Sequence, residues 1–120
     1  EAAYLESWDV YAHAVYHLEL DEKAFAEVYA GEYLATVLNE MESRIADGRA
    51  AHVRVDHDYT VDAISPTRAL IIDRYTNHQV LVDPRTKEPI EPDPNESVVD
   101  AVTLEQVDGS WRVTYVQELE

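Results

Sequence analysis

A chain of 120 residues makes one domain, long enough to bury about two-thirds of the surface its unfolded form exposes. Its 46% apolar and 28% charged residues are those of an ordinary globular protein, which excludes a disordered, collagenous or coiled-coil chain. The absence of cysteine excludes disulfide scaffolds, thiol nucleophiles and Cys-ligated zinc.

Twenty-five acids face nine bases, a net charge of −16. Eleven acids and three bases fall in residues 1–50, fourteen and six in the rest, so the acidity is spread along the chain. Such a surface repels phosphate backbones and anionic membrane faces, so neither a nucleic acid nor insertion in a membrane is expected. It also strains the folded state by self-repulsion. Screening over a Debye length of about 8–10 Å is expected to raise the melting temperature between low and physiological ionic strength. A flat or falling trend in thermal melts would refute that. No apolar run approaches a membrane span of about 20 residues. The chain starts Glu1-Ala2-Ala3 without an initiator methionine, which leaves room for a removed export signal or lipid anchor upstream; localisation is otherwise open.

Residues 2–20 read as an amphipathic helix, with Tyr4, Trp8, Tyr11, Ala12 and Val15 on one side and Glu6, Asp9, His13 and His17 on the other. Asp21 is a candidate N-cap for a short helix to Ala30 that turns Phe25 and Val28 inward, with Gly31 just past its end. A third helix over 33–47 carries the stripe Leu34, Val37, Leu38, Met41 and Ile45, and Gly48 stops it. From Ala51 to Ala63 the period becomes 2, which predicts one long strand with a wet face. A turn at Ser65-Pro66-Thr67 leads into a strand over 68–76, buried on both faces at Leu70, Ile71 and Ile72 and continued or bent through 80–83. Residues 84–96 hold four of the five prolines and read as a loop. The chain closes on a hairpin, 97–107 and 110–119, about an Asp108-Gly109 turn, with Trp111, Val113 and Tyr115 on one face. Helices first and a strand meander after predict an α+β fold, residues 1–120 as one domain, with a curved antiparallel sheet of four or more strands wrapped over the helices.

This order resembles the NTF2-like (SnoaL/ketosteroid-isomerase-like) cone, also called cystatin-like. Glu27-Val28-Tyr29-Ala30-Gly31-Glu32-Tyr33-Leu34 is similar to the middle helices of small exported bacterial members of unknown function. Ala69-Leu70-Ile71-Ile72-Asp73-Arg74-Tyr75 resembles their central strands, and Val107-Asp108-Gly109-Ser110-Trp111-Arg112-Val113 their terminal hairpin. Trp8 sits where such domains often place an aromatic that lines the cone. The resemblance implies a family of isomerases, dehydratases, ligand carriers and non-catalytic interaction domains that often dimerise through the sheet.

His57 interrupts an apolar strand face between Val55 and Tyr59, and Asp73 does so between Ile71 and Tyr75. If the two strands pair about the Ser65-Pro66 turn, His57 lies opposite Asp73 and both point into the cone. The pair is a candidate for proton transfer, for anchoring a ligand, or for a buried structural hydrogen bond. The expected pocket is Trp8, His57, Tyr59, Asp73, Tyr75 and Trp111, with no catalytic residue assigned beyond the candidates His57 and Asp73. Asp9, His13 and His17 form a row that could chelate a metal, but on the wet face, and Asp56, Asp58 and Asp62 share an outer strand face; neither is read as a metal site. No cofactor is expected. The leading expectation is a non-enzymatic binding or self-association module of an exported or surface-tethered protein. It would take a protein partner or a small apolar ligand, or dimerise through the sheet. The alternative is a cofactor-independent acid/base enzyme or a ligand carrier. Trp111 is expected to matter more to stability than His57 or Asp73.

Overall fold

The computed structural model describes residues 2–119, and three helices precede seven strands. Helix α1 spans Ala2–His17, three residues shorter than its apolar pattern suggests. It ends because Leu18 turns left-handed (φ 52°) and Glu19 N–H reaches back to the Ala14 carbonyl, the closing bond of a Schellman cap. The same cap ends α3, Gly31–Asp47, where Gly48 (φ 65°) takes the left-handed position and Arg49 N–H bonds the Arg44 carbonyl. Glycine announces the second stop in the sequence and leucine hides the first.

Helix α2 is Glu22–Val28, capped by Asp21, whose carboxylate accepts from Ala24 N–H. Gly31 does not close it, as the sequence suggested. Tyr29 and Ala30 run extended against the last strand, Ala30 N–H bonding the Val113 carbonyl, and Gly31 begins α3. On α3, Val37 and Met41 are buried but Ile45 is 38% exposed. Arg44 takes the buried place, donating to the Arg49 carbonyl and pairing with Glu40.

The single strand expected over 51–63 is three pieces: β1 (Ala50–His52), β2 (Val55–Asp56) and β3 (Tyr59–Ser65). Strand β1 leaves the main sheet to pair with β5 (Val80–Val82). Strands β2 and β3 follow one another along the same edge of β4 (Arg68–Asn77). Single backbone bonds bridge the gaps, His78 N–H to the Arg54 carbonyl and Arg74 N–H to the Asp58 carbonyl. Alternation persists across the breaks, but cover does not: beyond Tyr59 every residue of β3 is exposed, Val61 at 46%. The pattern therefore cannot reveal where the ladder changes partner.

Strand β6 (Glu96–Val107) pairs with β4 on one side and β7 (Ser110–Leu119) on the other. Asp108 and Gly109, both with positive φ, form the turn, as Asp-Gly predicts. Trp111, Val113 and Tyr115 do not share a face. A register shift opposite Thr103 and Leu104 makes Thr114 the extra residue. Val113 is buried, Tyr115 is 56% exposed on the other face, and Val116 lines the interior cavity.

The core lies between helices and sheet, around Val15, Phe25, Met41, Ile71, Val102, Leu104 and Val113. Two latches hold the loop between β5 and β6. Lys87 Nζ donates to the Tyr16 carbonyl at 2.6 Å and sits 4.8 Å from the Tyr16 ring centroid. His78 places Nε2 3.0 Å from Asp56 and Nδ1 2.9 Å from Asp93, tying β2 to the loop. Among the described residues no helix is long and apolar enough to cross a membrane.

Candidate functional site

The concave face of the sheet is set by register. Asp73 on β4 pairs with Asp100 on β6, which pairs with Glu118 on β7. Cross-strand partners point to the same side of a sheet, so three carboxyl side chains form a row across the inner face. Like charges placed this way repel, and the fold answers each differently.

Asp73 is 0% exposed. Tyr4 Oη donates to its Oδ2 at 2.7 Å, His57 Nδ1 lies 2.6 Å from the same oxygen, and Asp58 N–H donates to Oδ1 at 3.1 Å. The His57 contact suits the tautomer with its proton on Nδ1, which donates to Oδ2. The imidazole is surrounded by the rings of Tyr4, Trp8, Tyr59 and Tyr75, with centroids 5.4–6.4 Å apart in this group. The expected His57–Asp73 contact forms, though not by direct pairing. Tyr59 is the residue opposite Asp73, and His57 reaches it from the break between β2 and β3.

Asp100 is 8% exposed and takes one hydrogen bond, from Tyr75 Oη at 3.1 Å. Burial, with repulsion from Glu118 and Asp73, holds its carboxyl above the usual aspartate range. In front of it is a cavity of about 240 Å³ between sheet and helices. Trp8, Tyr4 and Tyr11 of α1, Tyr29, Tyr33 of α3 and Tyr75 of β4 supply its aromatic walls. Glu40, which accepts from Tyr11 Oη at 2.7 Å, stands at the wall with Asn77 and Gln79 on either side of the His78 latch. Burial raises the phenols of Tyr4, Tyr11, Tyr29 and Tyr75, and that of Tyr33 to about 12 under the added influence of Glu40 and Asp100. At neutral pH these hydroxyls stay un-ionised: they donate hydrogen bonds and none is a base.

Of the six expected pocket residues, Trp8 and Tyr75 line this cavity. His57, Tyr59 and Asp73 lie beyond Tyr4 and Trp8, outside its lining, and Trp111 is a half-buried neighbour of the core. Asp100, Glu40 and four tyrosines were not foreseen. Their signal was composition: eight tyrosines against one phenylalanine is an excess of aromatics that bring a hydroxyl inward. Asp9, His13 and His17 are exposed on α1, the His13 and His17 ring centroids 4.4 Å apart with planes tilted by 50°, and among the described residues no three His, Asp or Glu side chains gather as metal ligands.

The raised Asp100 carboxyl has a consequence for stability. Between the ordinary aspartate value and its folded value the native state binds more protons than the unfolded one. Stability therefore falls as pH rises through that window and stays reduced at neutral pH. Asp100→Asn is expected to raise the melting temperature at pH 7 and to leave it near wild type at pH 3. A lower melting temperature at pH 7 would show that the carboxylate is stabilising.

No protein-family model matches the sequence, and no curated protein matches it. The fold, by contrast, is shared with solved structures. The intermembrane-space region of the chloroplast protein ARC6 superposes with a TM-score of 0.78 at 16% identity, covering 99% of this chain and 92% of that one. An NTF2-like protein of unknown function from Shewanella oneidensis gives 0.54 at 11%, over 99% and 98% of the two chains. A type 2 hexachlorocyclohexane dehydrochlorinase (LinA) gives 0.57 at 14%, over 99% and 88%. The chain thus shares the α+β fold of these NTF2-like structures, three helices on an antiparallel sheet. At these identities the likeness defines the fold, and function has to be argued from the site.

Proposed function

We propose that this domain is a non-enzymatic binding module whose tyrosine-lined cavity receives a side-chain-sized group from a partner. The observation that carries this is the separation of the two polar centres. The His57–Asp73 pair stands outside the cavity lining, with Tyr4 and Trp8 against the imidazole, while four of the five tyrosine hydroxyls of the lining are already donated, to Asp73, Glu40, the Ser7 carbonyl and Asp100. At about 240 Å³ it is smaller than the roughly 300–1,000 Å³ of drug-sized ligand sites, which suits a single protruding group.

The enzymatic alternative rests on the short His57–Asp73 bond and on the fold shared with the dehydrochlorinase. It requires His57 to meet a substrate. A fragment screen by amide NMR separates the two. Small aromatic and aliphatic probes are expected to shift Val102, Val113 and the Trp8 indole, with affinities unchanged in His57→Gln. A cavity silent to every probe, or turnover of any of them that disappears in His57→Gln, would overturn the proposal.

Self-association belongs to the same reading. The outer sheet face carries exposed Tyr115 and Leu119, and sedimentation at low and high salt reads whether a dimer forms there once charge is screened. The intermembrane-space setting of the ARC6 region supports an extracytoplasmic setting for this chain as well.

A further inference from the structure

We infer that the cavity is a receptor for an organic cation, a guanidinium or alkylammonium group, held between the tyrosine and tryptophan rings and the carboxylate of Asp100. This deepens the binding-module reading and rests on it.

Three observations converge. The first is the row Asp73, Asp100, Glu118 across the inner face. Asp73 has His57 as an ionisable partner, but among the described residues Asp100, buried at the cavity wall, has only the neutral hydroxyl of Tyr75. The second is the wall itself. Rings of Trp8, Tyr4, Tyr11, Tyr29, Tyr33 and Tyr75 surround the space, and aromatic faces attract a desolvated cation through their quadrupole. The third is a second carboxylate, Glu40, at the same wall; Arg44 lies 3.5 Å from it on the side of α3 and offsets part of its charge, which leaves Asp100 as the acid that a cation meets. A metal ion fits less well, since among the described residues no three ligating side chains converge and the lining is aromatic. The net charge of −16 adds long-range attraction for a cationic partner. A buried acid facing an aromatic wall without a counter-charge raises the energy of the free protein, and an incoming cation with N–H donors removes that cost through a charge-assisted hydrogen bond.

The test uses isothermal titration and amide NMR on the 120-residue domain at moderate salt. The probes are N-acetyl-arginine methylamide, its neutral isostere N-acetyl-citrulline methylamide, and agmatine. The arginine amide is expected to bind about tenfold or more tightly than the citrulline amide, with shifts at Asp100, Val102 and the Trp8 indole. Asp100→Asn is expected to abolish that preference. Asp62→Asn, which removes the same charge from an exposed position, should retain it. Tighter binding of the amide than of agmatine points to a peptide as the source of the group, and equal binding to a free amine; both support the inference. If arginine and citrulline amides bind alike and Asp100→Asn changes nothing, the cavity binds but not as a cation receptor, and the inference fails while the binding-module reading stands. If no probe shifts the cavity residues, both fail.

Discussion

Asp73→Ala is expected to destabilise the fold by about 3–5 kcal/mol, more than truncation of Trp111. The carboxylate is fully buried and receives Tyr4 Oη, His57 Nδ1–H and the Asp58 amide. Its removal leaves three donors facing a void, each costing on the order of 1–3 kcal/mol before relaxation. The effect extends beyond local polarity. Tyr4 ties α1 to β4, and the Asp58 amide ties the break between β2 and β3 to the same strand, so one carboxylate joins a helix and both pieces of the edge. Asp73→Asn keeps the shape and one acceptor and should cost less. Trp111→Ala, ranked first from sequence alone, is expected to cost less than Asp73→Ala because the indole is only half-buried against the core. Denaturant melts of the three variants read the order. A cost under about 1 kcal/mol for Asp73→Ala would mean that the group is not structural.

Phe25→Ala should cost about 3–5 kcal/mol, and its consequences should reach the cavity. Helix α2 has seven residues, well below the roughly 12–15 at which an isolated helix begins to hold in water. It exists because Asp21 caps it and because Phe25 and Val28 are buried. The chain runs from α2 through Tyr29, which lies against Phe25 at 6.0 Å, lines the cavity and donates to the Ser7 carbonyl of α1. Loss of the Phe25 ring is therefore expected to loosen Tyr29 as well as α2. Denaturation gives the magnitude. Hydrogen exchange should show lost protection at Tyr29 and Ala30, whose amides bond Phe25 and Val113. Protection retained there would mean that Tyr29 is held independently of α2.

Where a feature of this chain rests on local chemistry, its residues show it. Asp21 accepts from an amide three residues on, Gly48 tolerates a left-handed turn, and Asp108-Gly109 closes a two-residue hairpin. These are interactions among neighbours in the chain, so the helices-first order, the final hairpin and the α+β class could all be read from the sequence. His57 and Asp73 also announced themselves as polar interruptions of apolar faces, and they do meet. Other features depend on which distant segments pair. Whether residues 51–63 form one strand or three was decided when β1 found β5, and the alternation of 2 is identical in both cases. The extra residue at Thr114 turns Tyr115 outward and Val116 inward, a shift visible only against β6. The acidic row exists because the register of β4, β6 and β7 sets residues 73, 100 and 118 side by side, and Tyr4 covers Asp73 because α1 crosses that point of the sheet. Sequence composition supplied the acids and tyrosines of the cavity; strand register and helix packing, which act between residues tens of positions apart, decided that they face one another.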